Sequence, residues 1–111
     1  KVCLKTKFDK IIVINSIMYK KSLKNVLKTF KKLLKKDGEI WIVVPHPVRK
    51  MVKYTKNYFE SGKHWENYYG IKWFGYYRTM AEYINTAISC ESELKRIIET
   101  RPKTNDSEFV I

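Results

Sequence analysis

The side chains able to do chemistry gather where the chain changes element. His46 stands between Pro45 and Pro47, directly after a run of aliphatics. An imidazole held there can take a proton or orient an oxygen near neutral pH. Asn15 and Ser16 close an earlier aliphatic run, at the kind of strand end where open α/β sheets bind ligands. Arg78 follows Tyr76 and Tyr77; its guanidinium matches a carboxylate through two parallel hydrogen bonds, so the trio suits an acidic or hydroxylated small molecule. Tyr19 is a further candidate of that kind. Each has a plainer alternative. Asn15 and Ser16 serve equally as a strand-end turn, His46 as a turn histidine, and Tyr19 as packing with its hydroxyl in water. Arg78 also suits a helix cap or an ion pair with Glu82, four residues on.

Other reactive residues form no pattern. Cys3 and Cys90 lie far apart and match neither CxxC nor Cys/His ligand spacing, so no metal site and no disulfide framework is expected. A reducing, cytoplasmic location follows as the expectation. His64, beside Trp65, is a lone histidine of the kind usually left in solvent.

The elements that must position these residues alternate. Residues 8–16, FDKIIVINS, hold four consecutive β-branched aliphatics and read as a strand buried on both faces, as in a parallel sheet covered by helices. Residues 22–36 follow as an amphipathic helix, with Leu23, Val26, Leu27, Phe30, Leu33 and Leu34 on one stripe and lysines opposite. Ser22 suits its N-cap, and Asp37-Gly38 its left-handed stop. Residues 39–44, EIWIVV, form a second strand without alternation, ended by Pro45. Residues 8–47 therefore make a βαβ unit.

Residues 48–77 are crowded with aromatics and punctuated by Gly62, Gly70 and Gly75. They read as an irregular insertion, a lid or binding loop, or as a short helix at 48–59 with a satellite aromatic core. Met80, Tyr83, Ile84, Ala87 and Ile88 mark a helix over 78–89, and 93–100 reads as a strand. Residues 102–108 form a polar loop, and 109–111 open another strand.

Composition bounds the function. The 111 residues suit one small domain or a fragment of one, and 44% hydrophobic with 14% aromatic content excludes a disordered chain. The formal net charge is +12, which invites nucleic acid or an acidic membrane as partner. Lys outnumbers Arg heavily among the basic residues, however, and a lysine-rich surface is more often simple solvation than phosphate recognition. The helix lysines Lys24, Lys28, Lys31, Lys32, Lys35 and Lys36 are expected to form such a face. Basic and aromatic residues interleave over 49–78, which keeps single-stranded RNA as an alternative partner. The longest apolar run, Ile11 to Ile14, is far too short to cross a membrane, and no membrane partner is expected. The chain opens on Lys1 rather than Met, which reads as a fragment or processing boundary.

Two strands buried on both faces need neighbours that this chain does not supply. The stretch FDKIIVINSIMYKKSLKNVLKTFKKLLKKDGEIWIVVPHP resembles the fourth strand, following helix and fifth strand of class I S-adenosylmethionine-dependent methyltransferases. YYRTMAEYINTAISCESELKRIIETRP resembles the next helix and sixth strand of a small-molecule subgroup. Together they cover residues 8–102. The resemblance implies an α/β fold, part of a doubly wound, Rossmann-like and mostly parallel sheet with flanking helices, lacking the N-terminal cofactor-binding half. It implies S-adenosylmethionine as cofactor, lined by Asn15, Ser16 and Ile17, and a small-molecule acceptor met by Tyr19, His46, Tyr76, Tyr77 and Arg78, with His46 as base. The glycine-rich turn that grips the cofactor in that family has no counterpart here. The chain is therefore expected to be incomplete alone, partnered by the other half or by self-association. The alternative is a non-catalytic module of that descent that binds nucleic acid or protein.

Overall fold

In a computed structural model, residues 6–48, 56–100 and 108–110 are described. Strand β1 (Phe8–Ile14) ends in a short 3-10 turn (Ile17–Tyr19), then helix α1 (Leu23–Leu33) leads into strand β2 (Leu34–Pro45). Strands β3 (Gly62–Tyr68) and β4 (Ile71–Tyr77) precede helix α2 (Met80–Ser89), followed by the short strands β5 (Ile98–Glu99) and β6 (Glu108–Val110).

The βαβ unit forms as the sequence predicts. β1 and β2 pair in parallel, Ile11 opposite Ile40 through Ile14 opposite Val43, and Ser22 caps α1 by accepting from the Asn25 amide. The helix stops earlier than expected, because Leu34 turns to extended backbone and starts β2. Between Phe8/Leu34 and Lys10/Glu39, two steps along β1 match five along β2. Asp37 takes the left-handed conformation inside this bulge, with φ 65°. A Cβ on Gly38 would lie 2.9 Å from the Lys35 carbonyl and 3.2 Å from that of Asp9, so the bulge closes only over glycine.

The sheet order is β1-β2-β6-β5. β6 runs antiparallel to both β2 and β5, so β1, β2 and β5 share one direction. The strand expected over 93–100 contracts to Ile98–Glu99, and the one expected at 109–111 is β6, set between β2 and β5. The polar loop of 102–108 falls almost wholly outside the described residues.

The expectation of burial on both faces fails. Val13, Ile42 and Val44 are buried with Leu23 and Leu27 of α1 and Tyr83 of α2. On the opposite face Ile12 and Ile14 remain 59% and 62% exposed. Both described helices pack on one side of the sheet, so alternation in environment appears where composition shows none.

The aromatic insertion also departs from expectation. Residues 62–77 are no irregular lid; they form an antiparallel hairpin from Gly62 opposite Tyr77 to Tyr68 opposite Ile71. Its two-residue turn, Tyr69-Gly70, has positive φ at both positions (49° and 81°), as a type I′ turn requires, and the Asn67 side chain accepts from the Gly70 amide. The helix expected over 48–59 lies largely outside the described residues. The hairpin packs on the 3-10 turn, with Trp73 edge-on to Tyr19 at 6.2 Å between ring centres.

The lysine face is less passive than composition suggests. Lys31 donates to the carbonyls of Cys90 and Glu91, at 2.6 and 3.1 Å. A cation is thereby fixed at the negative end of α2, tying the two helices together.

Candidate functional site

β1 and β2 deliver their C-terminal ends to one rim, where open α/β sheets bind ligands. A pocket lies there, walled by Met18 of the 3-10 turn, Pro45 at the end of β2 and Pro47 beyond it, Tyr76 and Tyr77 of β4, Arg78, and Tyr83 of α2. Its enclosed space is about 20 Å³, room for one water-sized group. A larger cleft of about 600 Å³ adjoins the bulge and the 91–98 segment, lined among others by Asp37, Gly38, Lys95 and Arg96. That cleft flanks the start of β2, away from the rim. The rim pocket, though small, is the one that gathers residues picked out by sequence.

Arg78 is buried, 8% exposed. Its Nη2 donates to the Lys20 carbonyl and, at 3.1 Å, to that of Lys21, which pins the loop before α1 to the start of α2. Its guanidinium carbon lies 5.9 Å from the centre of the Tyr83 ring. The ion pair with Glu82 does not form, since Glu82 accepts from the Ser61 hydroxyl. The helix cap is Thr79, which accepts from the Glu82 amide. Burial raises the Tyr83 hydroxyl above the usual tyrosine pKa, against the opposing pull of the Arg78 charge and hydrogen bond.

Tyr77 is buried and donates to the Glu66 carboxylate at 2.6 Å. The ring of His64 stacks on Tyr77 at 4.6 Å, so this histidine is a packed side chain of the hairpin rather than one adrift in solvent. Tyr76 is half-buried in the pocket wall. Tyr19 instead packs against Trp73, and Met18 takes the place on the wall. The His46 Nε2 meets the Glu99 carboxylate of β5. Pro45 and Pro47 line the pocket and His46 between them does not, so the rim holds two separate polar centres.

No family model matches the chain, and no curated protein matches it. Among solved structures it is similar to a Listeria monocytogenes protein described as a "putative S-adenosylmethionine dependent methyltransferase". The superposition has a TM-score of 0.83 at 16% identity and covers 98% of this chain. The chain has the fold of that protein. It spans 62% of that protein's length.

Asn15 and Ser16 sit exposed where β1 ends. Asn15 has φ 49°, and its amide donates to the Val43 carbonyl at 2.8 Å. Both are polar side chains open to a ligand at the rim. The Ile17 side chain is not, being 1% exposed within the core. Sequence reasoning missed Met18, Pro45, Pro47 and Tyr83 as pocket walls. The Pro-His-Pro run carried that signal, because prolines flanking a histidine point to the opposite side from it.

Proposed function

We propose that the chain is part of an S-adenosylmethionine-dependent methyltransferase acting on a small molecule. The fold likeness over 98% of the chain carries this reading, and the rim pocket agrees with it. The acceptor lies over the pocket, between Tyr76 and Tyr77, while Asn15, Ser16 and the Ile17 backbone form one edge of the cofactor site. The cofactor, when bound, supplies an electrophilic methyl group on a sulfonium. The protein's own task is mainly alignment, since methyl transfer is an in-line displacement that gains most from orientation. His46 is the candidate base, its ring held by Glu99 just outside the pocket. Tyr19 supports the hairpin that carries Tyr76 and Tyr77.

Calorimetric titration of the full chain with S-adenosylmethionine and S-adenosylhomocysteine at moderate salt tests this. Micromolar binding supports the reading. Absence of heat from a folded chain means that the site needs segments beyond this edge, or that the fold serves another purpose.

One observation favours a second reading. The hairpin's outward face sets Lys63 over the rings of Trp65 and Phe74, at 5.1 and 4.5 Å, and Lys72 over Trp65 at 5.4 Å. Trp65 remains 56% exposed. Stacking platforms for single-stranded nucleic acid combine rings and cations in this way. Oligonucleotide binding that weakens steeply with salt would favour it.

A further inference from the structure

Arg78 carries a feature that its structural bonds leave unexplained. Nη2 serves the Lys20 and Lys21 carbonyls, but Nη1 is buried and has no hydrogen-bond partner among the described residues. A buried guanidinium normally meets a carboxylate, because desolvating a charge without a partner is costly. The carboxylates of the surrounding elements are committed elsewhere: Glu66 to Tyr77, Glu82 to Ser61 and Glu99 to His46. A buried donor left without a partner is costly, and the residue that carries it lines an open pocket.

We infer that the rim pocket is a carboxylate subsite, in which one oxygen of a small organic acid accepts from the Arg78 guanidinium. Three features select that chemistry. The charge is positive and fixed by two carbonyls, so it binds without reorganising. The space of about 20 Å³ beside it takes a single oxygen. The remaining walls are tyrosine rings, proline and methionine, which suit an apolar or aromatic body attached to that carboxylate. Resting on the proposed function, the methyl acceptor is then an aromatic or apolar carboxylic acid.

The test uses the full chain and benzoate as probe, with benzamide as its uncharged isostere and inorganic phosphate as a competing anion, all at constant ionic strength. Arginine side-chain nitrogen resonances are followed by NMR. The expected result is saturable movement of the Arg78 signals by benzoate, with benzamide and phosphate at least about tenfold weaker. Arg78→Lys, checked for native circular dichroism, should weaken benzoate by about tenfold, since lysine lacks the planar fork. Equal binding of benzoate and benzamide overturns the inference, as does stronger binding of phosphate or an unmoved Arg78 signal. The outcome is separable from the methyltransferase reading. Chains that bind benzoate but not S-adenosylhomocysteine keep the subsite and withdraw support only from a cofactor site on this chain, and the converse sinks only the subsite.

Discussion

His46 and Arg78 flank the same rim, and the protein meets their needs in opposite ways. His46 follows β2 and meets a carboxylate of the same sheet, Glu99, which is itself half exposed. Arg78 follows β4, is buried more deeply, and meets backbone oxygen and the Tyr83 hydroxyl but no carboxylate among the described residues, with one nitrogen left over. One centre is closed within the chain and the other is open to a ligand. The difference shows that a buried charge can be held in place without being neutralised, which is how a binding site keeps its affinity for something else.

The sharpest way to break this contrast is Arg78→Met. It removes two charge-assisted bonds between the loop before α1 and the start of α2, and relieves a desolvated charge. A net loss of about 2 kcal/mol is expected in urea unfolding. A gain in stability would mean that the uncompensated charge outweighs its carbonyl bonds, and would mark Arg78 as a residue kept at a structural cost. Tyr77→Phe comes next. It leaves the His64 stacking surface in place but strips a donor from the buried Glu66 carboxylate, with an expected loss of about 1 to 2 kcal/mol by the same measurement.

Tyr83 reports on the Arg78 environment through pH. Its hydroxyl titrates above 10.0 when folded, so the folded state keeps a proton that the unfolded chain gives up. Stability should be insensitive to this group below pH 10 and fall as pH rises beyond it. Tyr83→Phe should remove that part of the alkaline decline. Thermal unfolding of the two proteins at neutral and alkaline pH gives the comparison, and parallel profiles would contradict the assigned burial.

Much of this was legible in the residues, and the failures have physical causes. Ser22, the aliphatic runs and the stripe Leu23 to Leu33 announced the βαβ unit, because local capping and periodicity agree there. Burial of the strands did not follow from composition. Ile12 and Val13 are both β-branched aliphatics, yet one is 59% exposed and the other 9%, because a face is covered only where helices happen to lie. The hairpin was hidden because both its faces carry aromatics, Trp65 and Phe74 outward and Trp73 and Tyr77 inward, and charges fall on both as well, Lys63 and Lys72 outward and Glu66 inward, so neither type marks the alternation. Its Tyr-Gly turn also lacks the usual asparagine signal. At the site, Tyr76, Tyr77 and Arg78 were found by type and reach one pocket. His46 was found too, but a histidine's neighbours in sequence do not say which side of the strand end it takes.

The smallest effect tests the closed centre. Glu99→Gln keeps the shape of the His46 contact and removes its charge. Because Glu99 is 55% exposed, solvent screens the pair, and a loss of about 0.5 kcal/mol or less is expected at neutral pH. The stronger expectation is what does not change. Benzoate binding at Arg78 should be unaltered, since His46 lies outside the pocket wall. A variant that shifts benzoate affinity severalfold while leaving stability intact would show that the two centres are one site, with His46 and Glu99 reaching the ligand that Arg78 holds.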